Sequence, residues 1–269
     1  MRAKAGHKAD RAVPVREVAV ALREFWSRGG RMERSCYLIG AVLILAGLFH
    51  LGVFFVRDGS WTGPVSWRKP TTFGLSFGLT LITITWVGSF LRTRAPLLAV
   101  FAAACVLEVV LISVQAWRHV PSHFNNQGPV NTGIAFSLAG GGAVLIIALV
   151  TMTVLAFRPA PDRDPAMRLA LRVGFAALMF ALASGAAMIA KGMVLVKTGH
   201  QQAAYTAADA LKPAHAVTMH AVLVLPALAW LLTFFPVTAS GRRTVIARVS
   251  WGYALAAAAV ILVSLVKFA

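Results

Sequence analysis

Acidic residues are scarce in this chain: nine Asp and Glu stand against 26 Lys and Arg in 269 residues. Cysteine is scarcer still, with only Cys36 and Cys105. There is no CxxC, no CxxCH haem-attachment motif, no HExxH, no phosphate-binding glycine loop and no GxGxxG fingerprint. These absences exclude a soluble-type nucleotide enzyme, covalently attached haem and helix-borne zinc protease chemistry. A disulfide is excluded by reach. Cys36 falls at one end of an apolar run and Cys105 deep inside another, ~10–15 Å apart in depth at 1.5 Å per residue. Both read as small core thiols.

Apolar runs are what the chain has in abundance. It is 58% hydrophobic and 13% charged, too apolar for a soluble domain of this length. Seven runs reach the roughly 20 residues that a bilayer-crossing helix needs. They cover 36–56, 71–91, 95–117, 131–157, 167–196, 214–235 and 244–267. The runs are continuous rather than alternating, which excludes a membrane β-barrel. The expected fold is all-α: a bundle of seven transmembrane helices over 35–269, preceded by a basic segment at 1–34.

The basic residues orient the bundle. Eighteen fall on the side of the N-terminus: nine within the first 34 residues, then Arg92, Arg94, Arg158, Arg163, Arg168, Arg172, Arg242, Arg243 and Arg248. Seven fall on the other: Arg57, Arg68, Lys69, Arg118, Lys197, Lys212 and Lys267. The basic side of a membrane protein is the cytoplasmic one, so the N-terminus is expected inside and the C-terminus outside. The net charge of +17 therefore needs no nucleic acid; it reads as a topology signal and an attraction to anionic lipid. The Ala- and Arg-rich composition points to a bacterial cytoplasmic membrane.

The N-terminal segment is too long in its basic part to read as a cleavable signal peptide. Val15, Val18, Ala19, Leu22, Phe25 and Trp26 share one helical face, opposite Arg16, Glu17, Arg23, Glu24 and Arg28. That pattern predicts an amphipathic helix lying on anionic lipid at the cytoplasmic leaflet. Small residues mark close helix packing: the GxxxG of Gly74 and Gly78, the run Gly140–Gly142, and the patch at 183–187. Pro226 interrupts span six. No internal repeat supports an inverted-repeat transporter.

Ionisable residues inside apolar spans are costly and point to function. His50, Glu108, Lys191, His215 and His220 all fall in the outer half of the expected bundle, where six of the seven histidines also lie. His50 and His220 each sit ~9 Å below the outer surface, and Glu108 ~15 Å below it. Gln115 lies two turns above Glu108. His215 is five residues before His220, about 140° around the helix, so the two face different ways. The outer loops add Arg68, Lys69, Arg118, His119, His123, Asn125 and Lys212. Trp61, Trp67 and Trp117 read as interfacial anchors.

Three readings follow. In the first, His50 and His220 ligate haem b or a transition metal for redox chemistry, with Arg68, Arg118, Lys191 and Lys212 toward the haem propionates. This requires spans one and six to be neighbours. In the second, the bundle is a cofactor-free carrier or sensor for a small molecule or ion approaching from the outer side. Glu108 and Lys191 then form a buried ion pair, lined by Gln115, Lys69, His119, His123, Asn125 and His215. In the third, histidines and a carboxylate hold zinc in a membrane-embedded hydrolase. Seven spans with an internal N-terminus resemble the seven-span zinc hydrolase and progestin-receptor-like superfamily in topology alone. That group has a closely spaced histidine pair on its last span, whereas the last span here has no histidine.

Overall fold

The computed structural model describes residues 15–57 and 59–268. No strand occurs among them. The elements are α1 (Val15–Arg28), α2 (Arg31–Val56), α3 (Arg68–Leu91), α4 (Ala95–Trp117), α5 (Pro129–Phe157), α6 (Pro165–Lys197), a single turn α7 (Gln201–Ala204), α8 (Lys212–Leu231) and α9 (Ala239–Phe268). A short 3-10 turn, Leu232–Phe234, extends α8. Seven of these helices are long and apolar enough to span a membrane. The expected span 95–117 matches α4 end to end. The other helices start two to five residues before their apolar runs. Hydropathy registers only the apolar stretch, while the backbone ladder continues into polar flanks such as Arg31 and Arg68. Proline occupies the first turn of α4, α5, α6 and α8, where its missing N–H costs no helical bond.

The helix ends fall into two layers. One carries α1 and the loops before α4, α6 and α9; the opposite, distal layer carries the loops before α3, α5 and α8. Two tight groups form the walls. α2 lies along α3 and also touches α4; α6 lies along α8, and both touch α9. Glycine permits the α2–α3 approach. A Cβ on Gly78 would sit 2.5 Å from the Gly40 carbonyl, and one on Gly74 would sit 2.7 Å from Gly47 Cα. The GxxxG expected to pack a helix does so, against glycines of α2. Gly174 does the same for α6, where a Cβ would come within 2.9 Å of Val222 Cα. α5 is held more loosely, against α4, part of α6 and a few residues of α3.

The basic layer is stitched by side chains. Asp164 caps α6, accepting from the amides of Ala166 (2.9 Å) and Met167 (3.2 Å) through Oδ1 and from Arg242 (2.7 Å) through Oδ2. Partial burial pushes its pKa up, but the Arg242 bond and the two amides outweigh it and hold Asp164 below the usual carboxyl value. Arg163 donates to the Phe90 carbonyl at 2.6 Å and Arg172 to Phe157 at 3.3 Å, closing the C-terminal ends of α3 and α5. α1 is helical as expected. Its Phe25 packs on Trp86, Phe90 and Trp230, while Val15, Leu22 and Trp26 stay exposed. The first fourteen residues of the basic segment, with Arg2, Lys4, His7, Lys8 and Arg11, lie outside the described residues. Cys36 and Cys105 are both buried and free.

Candidate ligand cavity

The two helix groups meet where α3 approaches α8, with Trp86 against Trp230, but do not close along their whole length. Between them, walled by α3, α4, α5, α6 and α8, runs a cavity of about 480 Å³. Its wall is mostly apolar and follows helical stripes. On α3 the lining residues are Phe73, Ser76, Phe77 and Thr80, the i, i+3, i+4, i+7 face of one helix. The cavity reaches the molecular surface between α5 and α6, where Phe136 is 71% exposed and Ile189 and Met193 are also open. Against this apolar background only a few polar groups converge: Glu108, Ser76, Thr80, His123, His215 and Asn126, with Lys197 at the rim.

Glu108 is the deepest of them. It is 4% exposed, and its Oε1 has no hydrogen-bond partner among the described residues. α5 makes room for it with a glycine. A Cβ on Gly141 would lie 2.7 Å from that oxygen, whereas one on Gly140 or Gly142 would meet nothing within 4 Å. The glycine run thus serves less to pack helices than to admit a carboxyl group. A buried acceptor left unsatisfied costs about 1–3 kcal/mol, so a donor placed opposite it would recover that energy.

His215 is the second cavity group. Its Nδ1 bonds the Ala181 carbonyl at 2.8 Å, so Nδ1 carries the proton and Nε2 is left as an acceptor. Nε2 makes no hydrogen bond among the described residues. This corrects the haem reading, which put His220 rather than His215 at the site. His220 is exposed, while the inward face of α8 carries His215 and Met219.

The third group comes from the loop between α4 and α5, which folds over the distal end. Gln115 donates to Asn131 at 3.2 Å and to the Pro121 carbonyl at 3.4 Å. Arg118 donates to Gln115 (2.6 Å) and Asn131 (2.9 Å), and Asn125 donates to Pro121 (3.3 Å). Gln115, Arg118 and Asn125 therefore fasten the loop. Phe124 is held at a left-handed φ of 59°, a cost of about 1–2 kcal/mol. Its ring covers Gly192 of α6, where a Cβ would fall 2.3 Å from Phe124 Cζ, and its carbonyl accepts from Gln201 at 2.5 Å. The neighbouring His123 faces the cavity and packs on Phe73, with Nδ1 bonded to Ser122 at 2.9 Å. Burial, reinforced by the charge of Lys69, pushes its pKa down to about 4.

The remaining expected site residues lie elsewhere. His50 does not meet His220, because α2 packs on α3 and α4 while α8 packs on α6 and α9. Both His50 nitrogens are already engaged. Nδ1 bonds the Ala46 carbonyl at 2.7 Å, and Nε2 accepts from Trp117 Nε1 at 3.1 Å. Trp67 stacks on His50, meets Trp117 edge-on and is itself buried, so it is a core residue rather than the interfacial anchor expected of it. His119 packs edge-on against Trp67. Glu108 and Lys191 do not pair either. Lys191 donates to the carbonyl of Phe268 and lies 4.1 Å from its ring, holding the end of α9. Lys69 donates to Pro64 at 2.9 Å, Lys212 pairs with Asp209, and Arg68 begins α3 with Nε buried and without a partner among the described residues. Among the described residues no three His, Cys, Asp or Glu side chains group as metal ligands would.

Ser76, Thr80, Phe124 and Gly141 belong to the site but were not selected from the sequence. The hydroxyls of Ser76 and Thr80 had a legible signal, since they repeat with Phe73 and Phe77 at helical spacing on one face. Phe124 had none, because its position depends on a distant glycine. No protein-family model, curated protein or solved structure matches the chain. Fold and cavity together define a multi-pass bundle of seven apolar helices with a laterally open pocket.

Proposed function

We propose that this protein is a cofactor-free carrier or sensor that takes an apolar small molecule from the bilayer into the cavity between α5 and α6. The observation that carries this reading is the buried oxygen of Glu108, without a hydrogen-bond partner among the described residues, in a mostly apolar cavity. An apolar wall with a few convergent polar groups is the usual make-up of a small-molecule site. The exposed Phe136, Ile189 and Met193 at its opening are side chains that lipid, not water, would cover. With the basic layer toward the cytoplasm, the end of the cavity that carries His123 and His215 lies in the outer leaflet half of a bacterial cytoplasmic membrane, and α1 rests on the inner leaflet.

The test is photolabelling of the purified protein in lipid nanodiscs with a long-chain alcohol that carries a diazirine in its chain. Labelled peptides are expected to concentrate on residues 135–146 and 185–196. Ala186→Trp, which fills the cavity, should abolish that pattern. Labelling spread evenly over α2 and α9 as well would refute the reading.

A further inference from the structure

A second cleft, unrelated to the ligand cavity, opens in the basic layer between the start of α4 and the end of α5. It encloses about 1130 Å³. Arg92, Arg94, Arg158 and Arg163 line it, against a single carboxylate, Asp162. From this rim the cleft descends along Leu97, Val100 and Leu155, so a charged mouth leads onto an apolar floor.

A topology signal requires only that arginines stay on one side of the membrane. It does not require four of them to converge on one cleft from two different loops. The convergence is costly. Arg163 uses one terminal nitrogen to close α3, yet its other, Nη1, is buried without any hydrogen-bond partner among the described residues. Burial, and the nearby charges of Arg168, Arg172 and Arg92, push its pKa down. Arg92 adopts a left-handed φ of 54°, which turns the chain back at the rim. The side chains of Arg94 and Arg158 make no hydrogen bond among the described residues and are exposed there. Guanidinium groups match phosphate oxygens with paired donors, and basic pockets between membrane helices on the cytoplasmic side suit anionic headgroups.

We infer that this cleft is a binding site for an anionic phospholipid, with its phosphodiester among Arg92, Arg94, Arg158 and Arg163 and an acyl chain on the Leu97–Val100–Leu155 floor. The apolar floor selects a lipid over free phosphate, because a soluble anion would leave it uncovered. The site is separate from the exposed face of α1, which offers charge without an enclosing cleft.

Native mass spectrometry and thermal unfolding of the whole protein in detergent test it with three probes. These are phosphatidylglycerol (anionic head and chains), phosphatidylcholine (chains, no net charge) and glycerol 3-phosphate (anionic head alone). One phosphatidylglycerol should be retained and should raise the midpoint, while the other two do neither. Arg94→Gln/Arg158→Gln removes two side chains without a structural bond and should weaken retention at least tenfold with the lipid-free midpoint unchanged. Val100→Trp, which blocks the floor, should do the same. Equal retention of the two phospholipids, or undiminished retention by the double variant, would overturn the site. Stabilisation by glycerol 3-phosphate as strong as by phosphatidylglycerol would overturn its assignment to lipid.

Discussion

Acidification should open the loop between α4 and α5 before it unfolds the bundle. His123 is neutral in the folded loop down to a pKa of about 4, against an ordinary value of 6.5. The folded form therefore refuses a proton that the opened loop accepts. Stability from this group is fully present above about 6.5 and falls as pH drops, by about 1.4 kcal/mol per pH unit, until it levels near pH 4. The whole interval amounts to about 3.4 kcal/mol as an upper bound. The loop is held by a small set of side-chain bonds, and its left-handed Phe124 releases strain on opening. Loss of this size should appear as local opening. Hydrogen exchange of amides 119–127, corrected for intrinsic rate, should show protection falling roughly 20- to 30-fold between pH 7 and pH 5. His123→Gln should flatten that dependence. An equal pH dependence in His123→Gln, or a loop better protected at pH 5, would refute the assignment of the effect to this ring.

Three further outcomes follow from the geometry. Gly141→Ala should push the Glu108 carboxyl aside, costing no more than about 1 kcal/mol because a flexible side chain can yield, yet abolishing cavity photolabelling; Gly140→Ala should leave labelling intact. Asp164→Ala removes an N-cap and a partly buried ion pair and should lower unfolding stability by about 1–2 kcal/mol at neutral pH. Because the folded Asp164 pKa is depressed, the difference from wild type, read by thermal unfolding in detergent, should persist above about pH 4 and shrink as pH falls below it. Glu108→Gln and Lys191→Met should be additive in thermal stability within about 0.5 kcal/mol, since the two side chains occupy different contacts; a coupling well above that would mean they meet.

The seven spans were legible because a bilayer demands long apolar helices, and α4, bounded by Arg94 and Arg118, was legible to the residue. Glu108 was legible as a polar group too costly to face lipid. The histidines were harder. Helical spacing showed that His215 and His220 point apart, but which of them turns inward depends on where α6 and α9 grip α8, and spacing carries no such information. His50 matched His220 in depth, yet depth does not order helices around a bundle. The polar stripe of α3 could have been found by its period. The Gly141 cradle and the Phe124–Gly192 contact could not, because each joins residues more than thirty positions apart by shape alone.

The gap between α5 and α6 has a consequence for how affinity should be expressed. A pocket open to hydrocarbon is never simply vacant, because lipid tails compete for it. Occupancy by any guest is then an exchange equilibrium governed by mole fraction within the membrane, not by aqueous molarity. Two preparations with the same total guest but different lipid-to-protein ratios should give different apparent dissociation constants. They should converge once guest is counted per lipid. Chain length and unsaturation of the host membrane then set the pocket's resting occupancy, so bilayer composition acts on this protein as a competitor as well as a solvent.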